Sequence, residues 1–457
     1  MATPHIKYLQ ALSTIASRSG RELFLVGGFI RDHLLRKKCS DYDFVCSGVQ
    51  TLAETFAREH HFPLVKLDST PGRETLRVIL EPQASFDFTE LQGATIDDDL
   101  KQRDFTINAL ALRLKDFIAG REDYIDLHRS QSDLKDKIVR AIPGPVLSAD
   151  PLRMLRAFRF AATLSFKIDA NTLSRIQKVS HQIKRTAGER IYHELMLLLT
   201  AENTSHLLAQ MEKTGLLANL FLGADPHKNS TDESCRPWIN ALEILQNLET
   251  LISSEDSPEP IGYLISTLSE RQRALLKLAA LLSQIEGFPL SQELKSEAAR
   301  ITQCMKHLRA SNSDTDFLTR CIVFQKQALE NIIDIAGSTV DESGLYRFVK
   351  NCGKELEASL ILACGVQRTQ RRTEEELKFF QAVDRTVHFH RKLFLPAQEE
   401  KVLLNGEDLK SNFNLPPSPL FRIILDRVEE ERVLGKVNTR DEALALGEKI
   451  IKQFGND

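Results

Sequence analysis

No apolar run in the 457-residue chain reaches the ~18 residues needed to cross a bilayer, so no membrane partner is expected. The opening stretch, MATPHIKYLQALSTIASRSGRE, lacks a basic start, an apolar block and a cleavage site. It is therefore expected to be a helix of the fold, with Ile6, Leu9, Leu12, Ile15 and Ala16 on one stripe, and not a secretory signal. C-x-x-C pairs are missing too. The seven cysteines (39, 46, 235, 304, 321, 352 and 364) are scattered and odd in number. That argues against a disulfide framework or a zinc ribbon and fits reduced thiols in a cytoplasmic protein. Compositional bias is also absent: 42% hydrophobic and 27% charged residues are ordinary globular values, which excludes a disordered chain. The length exceeds what one hydrophobic core serves, so two to four domains are expected, burying roughly 75% of the unfolded surface without a covalent staple.

A large net charge is missing as well, at −3 overall, but its distribution is uneven. From Arg140 to Glu194 there are ten Lys/Arg against four acids, so this stretch is +6 and the remainder −9. A local basic face on a mildly acidic protein can bind RNA without adhering to every polyanion.

Residues 23–26 form a short apolar strand running into Gly27-Gly28, followed by a helix at 29–36 and a strand at Asp41–Val45. Further short strands are expected at 64–67, 75–80 and 85–89, and a helix over Phe105–Arg113. Beyond Pro145 the pattern turns helical, with polar loops at 223–237, 253–260, 310–316 and 336–343. Strands mixed with helices up to about residue 140 suggest an α/β or α+β unit with a mixed sheet and helices, followed by all-α segments.

Three constellations carry chemistry. In the first, two glycines ending a strand let backbone N–H groups approach a ligand, and the following helix offers its N-terminus to phosphate. Arg31, one turn on, adds a cationic clamp. Asp41 and Asp43 lie two apart in a strand, so both carboxylates share a face. Holding them together is costly unless a cation such as Mg²⁺ sits between them. Alone, a D-x-D is mostly a solvated turn and Gly-Gly mostly a bend. The order strand, Gly-Gly, helix, strand, D-x-D within twenty residues is far more specific. The second constellation is Asp99 to Ala109, which reads as a charged loop opening a helix with Asp104 as its N-cap. The third is Asp150-Pro151-Leu152-Arg153-Met154-Leu155-Arg156-Ala157-Phe158-Arg159. Asp150 and Pro151 suit an N-cap and first helical position, and Arg153, Arg156 and Arg159 then share one face. The bland reading is a solvated helix with a weak Asp150–Arg153 surface pair. The sharper one is base selection. A carboxylate accepts from the exocyclic amine of cytosine or adenine and a guanidinium donates to the adjacent ring nitrogen, whereas uracil and guanine present the opposite polarity.

LFLVGGFIRDHLLRKKCSDYDFV (23–45) resembles the signature of the class II tRNA nucleotidyltransferase and bacterial poly(A) polymerase family, in the polymerase-beta superfamily. The likeness continues through most of the chain. It implies that Asp41 and Asp43 are catalytic and hold Mg²⁺, and that Gly27, Gly28 and Arg31 receive a triphosphate. The 99–109 block resembles the family's RRDFTxNA, with Gln102 for the first arginine. It assigns Arg103 to the nucleotide, with Asp104 and Asn108 supporting ribose recognition. Asp150 and Arg153 resemble the Glu-Asp-x-x-Arg protein template, with Ala149 in place of Glu, and Arg156 and Arg159 match further nucleotide-contacting arginines. Gly188 to Leu195 resembles a buttressing helix, which makes Arg190 structural and His193 a surface residue. Members that add a terminal adenosine commonly carry an extended loop just before the 99–109 block, and residues 90–97 leave little room for one.

The resemblance implies a nucleotidyltransferase head at 1–140, a helical neck at 141–222, a helical body at 223–365 and a tRNA-docking tail at 366–457. In the body, asparagine at 240 and Ser283-Gln284 stand where related phosphohydrolase domains carry metal-binding His and His-Asp. Those are poor transition-metal ligands, so no hydrolase chemistry is expected there. Pro417-Ser418-Pro419 replaces a Pro-Gly-Pro turn in the tail. The implied activity is template-independent addition of C and/or A to the 3′ end of tRNA from CTP and ATP, with Mg²⁺. Poly(A) polymerase, partial CC- or A-addition and a non-catalytic RNA-binding protein are the rivals. Oligomeric state is not determined by the sequence.

Overall fold

The structure, a computed structural model, describes residues 5–68, 74–81, 84–221, 237–253, 260–284, 296–336, 340–370, 373–416 and 418–454. The chain forms two compact units, Met1–Asp225 and Pro226–Asp457.

The first unit opens with α1 (Ile6–Arg18), which buries Leu9, Leu12, Ile15 and Ala16 but leaves Ile6 exposed at its first turn. Next come β1 (Phe24–Val26), α2 (Gly27–Leu34), β2 (Asp41–Cys46), α3 (Val49–His60), β3 (Leu64–Asp68), β4 (Thr75–Glu81) and β5 (Ala84–Glu90). They are followed by α4 (Ile96–Leu100), β6 (Leu110–Arg113), α5 (Leu114–Ile118), β7 (Ile125–Asp126), α6 (Ser130–Lys135) and β8 (Ile138–Val139). Seven strands form one sheet in the order β3-β4-β5-β2-β1-β6-β7. β2 and β5 run parallel, and every other pairing in this sheet is antiparallel.

The two-residue period of the strands sorts this sheet into an apolar and a polar face. Tyr42 and Phe44 of β2 lie beside Phe86 and Phe88 of β5, all four fully buried. Phe44 meets the Phe86 edge at 5.0 Å between centroids and stacks on Phe88 at 5.3 Å, while Phe56 of α3 packs over Phe86 at 5.5 Å. The intervening positions put Asp41 beside Ser85 and Asp43 beside Asp87 on the opposite face. Burial of the aromatic row therefore dictates that the carboxylates line up together.

The helix expected over Phe105–Arg113 is not there. Thr106–Asn108 makes one 3-10 turn, and Leu110–Arg113 is a strand paired with β1 from Val26↔Ala111 to Phe24↔Arg113. A short, mostly apolar run fits a doubly buried strand as well as a helix, and the free edge of β1 decides the matter.

Beyond β8 lie α7 (Val146–Ala149), α8 (Leu152–Leu164), β9 (Lys167–Ile168), α9 (Ala170–Val179) and α10 (Gly188–Thr200). The expected neck is thus helical but for β9, which pairs in parallel with β8.

The second unit is helical throughout its described residues. Its Leu356–Gln367 helix is buried on every side, and a separate apolar cluster around Leu409, Ile424 and Ala443 knits its last helices together. Of the expected loops, 310–316 fails. A helix runs from Asn312 to Ala336, and the Ser311 hydroxyl accepts the Asp314 N–H at 3.1 Å, so the Ser/Asn/Asp cluster is a helix start. Most of 223–237 and 253–260, and residues 337–339, lie outside the described residues. Pro417 does also, and Ser418-Pro419 begins the Pro419–Val433 helix. No helix among the described residues is long and apolar enough to cross a membrane.

Truncating Phe86 to alanine should cost about 3–5 kcal/mol of unfolding free energy, because the sheet and α3 cannot both collapse onto the void. Urea denaturation of the purified variant measures it.

Candidate active site

The sequence-predicted residues meet in one cleft of about 550 Å³ within the first unit. Its lining includes Gly27, Gly28, Arg31, Asp43, Arg103, Asp104, Asn108, Asp150, Arg153, Arg156 and Arg159. Of the proposed set only Asp41 stands outside that lining, exposed at the start of β2 and accepting the Ser85 hydroxyl at 2.9 Å.

Helix α2 begins at Gly27 itself, which takes φ +60°. The missing side chains serve close packing. A Cβ on Gly28 would sit 3.2 Å from the Asp43 carboxylate, and one on Gly27 would sit 3.1 Å from the Arg103 guanidinium. Asp43 Oδ2 accepts the Phe29 N–H at 3.3 Å, so the head of α2 and the carboxylate are held against each other. Burial, then the charge of Asp87, pushes the Asp43 carboxyl above its ordinary value. A divalent cation would offset both penalties, and hard oxygen donors suit Mg²⁺. Both oxygens of Asp87 accept from Arg77, each at 2.7 Å. No group of three His, Cys, Asp or Glu converges as a ready metal cluster among the described residues.

The arginines that line the cleft are tied into the fold by carboxylates and carbonyls. Arg31 forks onto Asp32 at 2.9 and 2.9 Å and donates to Asn108 Oδ1 at 2.9 Å. Arg103 pairs with buried Asp99 at 2.8 Å. Arg156 donates to Asp104 Oδ2 at 2.7 and 2.9 Å and to Glu194 at 3.1 Å, and Arg159 closes on the other Glu194 oxygen at 2.5 Å. Phe160 sits among three guanidinium groups, with Arg159 3.8 Å from its ring centre and Arg156 and Arg31 at 5.2 and 5.3 Å. Cation–π attraction from one ring gathers like charges that would otherwise separate. The +6 stretch is partly neutralised inside the fold, since Arg140 bonds Asp133 and Asp169 and Arg175 caps the carbonyls of Ala141, Ile142 and Gly144.

Asp104 is the N-cap of no helix. It is buried, accepts the Phe105 N–H at 2.8 Å and the Asn108 amide at 3.0 Å, and binds Arg156. Burial favours its neutral form, but Arg156 and Asn108 outweigh that and hold its carboxyl below the ordinary range. Asp150 does cap α8, accepting the Leu152 N–H at 3.2 Å. Its other oxygen meets the Arg190 guanidinium at 3.1 Å. Arg153 donates to the carbonyls of Gln102 at 2.9 Å, Arg103 at 3.3 Å and Val146 at 3.5 Å.

Sequence reasoning missed Asp87, the partner of Arg77, and took Arg190 for a buttress although it lines the cleft. It also gave no partner to Glu194. A charge set in the two-residue alternation Phe86-Asp87-Phe88, and an acid beside the buried Leu195 of α10, were the available signals. His193 is exposed, as expected. Between β5 and α4 only residues 91–95 intervene, pinned by a Thr95–Asp98 capping box and by Gly93 at φ +99° against Asp98.

Two family descriptions match the sequence. One is the poly A polymerase head domain over residues 23–140, and the other a probable RNA and SrmB-binding site of polymerase A over residues 165–228. A CC-adding tRNA nucleotidyltransferase from Synechocystis is 27% identical, covering 94% of this chain and 93% of that one. An A-adding tRNA nucleotidyltransferase from Deinococcus radiodurans is also 27% identical, covering 92% and 94%. The fold resembles that of a CCA-adding enzyme solved with ATP, with a TM-score of 0.72 at 22% identity, over 100% of this chain and 96% of that one.

Because Asp104 is held below the ordinary carboxylate range, its contribution to stability is present above about pH 4. That contribution should be lost as pH falls through its lowered value. Urea midpoints taken from pH 7 down to 3 should therefore fall for the native protein, and Asp104→Asn should start lower at pH 7 and decline less. Glu194→Ala removes the buried carboxylate shared by Arg159 and Arg156, leaving Arg156 on Asp104, and should cost about 1–3 kcal/mol by the same measurement.

Proposed function

This chain belongs to the class II tRNA nucleotidyltransferase and bacterial poly(A) polymerase family, and from that premise we propose that it extends the 3′ end of tRNA with C, A or both, from CTP and ATP. The observation that carries this reading is the single cleft in which the glycine turn, Asp43 and the base-selecting Asp150 and Arg153 converge. Nucleotidyltransferases of this family generally need divalent metal ions. In our reading Asp41 and Asp43 would hold Mg²⁺, which would supply Lewis-acid activation of the attacking hydroxyl and charge stabilisation of the leaving pyrophosphate.

The 3′-hydroxyl attacks the α-phosphorus in line, and pyrophosphate leaves. Gly27 and Gly28 allow the triphosphate to approach the backbone at the start of α2, and Arg31 and Arg103 supply positive charge beside it. Asp150 accepts from the exocyclic amine of cytosine or adenine while Arg153 donates to the neighbouring ring nitrogen. Asp104 and Asn108 support the ribose end, and Arg156 and Arg159 complete the basic wall. The division of labour we propose is a head at 1–140, a neck at 141–222, a body at 223–365 serving as scaffold and a tail at 366–457 docking the tRNA by shape and backbone. We place the work in the cytoplasm, where reduced thiols persist; the six described cysteines carry no disulfide.

The short, pinned 91–95 connection favours C addition over terminal A addition, since the extended loop of A-adding members has no room there. Labelled CTP and ATP offered to tRNA transcripts ending before C, CC and CCA test this directly. Two rounds of C addition with little A addition is the expected pattern. Efficient A addition to the CC-ended transcript overturns the C preference, and no incorporation on any transcript overturns the enzyme. Asp43→Ala should lower incorporation by roughly 10³-fold or more. A variant within tenfold of the native rate removes Asp43 from the reaction.

A further inference from the structure

We infer that Arg190 is a positioning residue for base selection: it holds the Asp150 carboxylate as a fixed acceptor at the cleft and so sets how strictly cytosine and adenine are chosen over uracil and guanine. The inference rests on the base-reading roles of Asp150 and Arg153 given above. Asp150 lies at an extended junction, φ −135° and ψ 99°, between α7 and α8. Its Oδ1 accepts the Leu152 N–H at 3.2 Å, and its Oδ2 accepts from the Arg190 guanidinium at 3.1 Å. One anchor on each oxygen fixes the plane of the carboxylate, a torsion that is otherwise broad for aspartate. Each oxygen keeps a second lone pair, so acceptor capacity remains for an incoming amine.

Arg190 reaches this position from the first turn of α10, with a side chain that is 55% exposed, against 32% for Asp150. A pair this exposed contributes little to fold stability, so its consequence is geometric. Arg153 is oriented separately, by the carbonyls of Gln102, Arg103 and Val146. Residue 149 is alanine and offers it no side-chain acceptor. The two halves of the base reader are therefore set by different parts of the chain: the donor by the 102–103 backbone and α7, the acceptor by α10. Losing Arg190 frees only the acceptor. The amine contact then weakens for cytosine and adenine, while a carboxylate turned aside no longer repels the carbonyl oxygen of uracil or guanine.

The test uses the full chain carrying Arg190→Gln, Arg190→Lys, Asp150→Asn and the Arg190→Gln/Asp150→Asn double change, with a tRNA transcript ending just before the first added residue. Values of kcat and KM are measured for CTP and UTP, and thermal melting checks the fold. Arg190→Gln should reduce the CTP:UTP ratio of kcat/KM about tenfold. Arg190→Lys should restore most of that ratio, and Arg190→Gln should add nothing on the Asp150→Asn background. A ratio within twofold of native in Arg190→Gln, with Asp150→Asn impaired, overturns the role of Arg190 alone. An equal loss from Arg190→Gln with and without Asp150 overturns it too, because Arg190 then acts elsewhere. If Asp150→Asn leaves the ratio unchanged, the base-reading assignment itself falls.

Discussion

Everything on the helical side of the cleft depends on a chain of charges running Asp104–Arg156–Glu194–Arg159, with both carboxylates buried and both guanidinium groups partly so. Each member would be costly to bury alone, and each is satisfied by the next. The guanidinium of Arg156 spans two carboxylates, one from the loop before the 3-10 turn and one from α10, and is itself carried by α8. Three elements that share no backbone pairing are thereby set at one spacing. Ionic networks of this kind specify geometry more reliably than they add stability. Here the geometry is what α8 presents: Asp150 at its start and Arg153 one turn in.

On the sheet side the constraint is steric. Asp43 lies against a helix start at which two successive residues have no side chain, and a Cβ at either would intrude on a charged group. The carboxylate is thereby brought close to the backbone N–H groups that open α2. Six arginines and three aspartates line the same cleft, and Asp32, Asp99 and Glu194 pair with four of those arginines. Phe160 adds cation–π attraction to three of those arginines, whose carboxylate partners are Asp32, Asp104 and Glu194.

Much of this was legible in the order of residues. The strand, Gly-Gly, helix and D-x-D succession is local, and local geometry follows from periods of two and 3.6. The same logic located Asp150 and three arginines on one helix. It failed where partners are distant in sequence. The short, mostly apolar run Phe105–Arg113 carries no clear period, and the open edge of β1 makes its last four residues a strand. Arg153 donates to the carbonyls of Gln102 and Arg103, roughly fifty residues back, and Asp150 is met by Arg190 forty residues on.

The sequence by itself determined which side chains could do chemistry and on which element each would stand, since those follow from residue type and short-range spacing. Only the tertiary structure decided which charges remain turned to the cleft and which are consumed in holding it together. Asp87 and Glu194 are spent on arginines and Asp43 is left facing the glycine turn, because electrostatic pairing depends on distance in space and the chain order does not encode it.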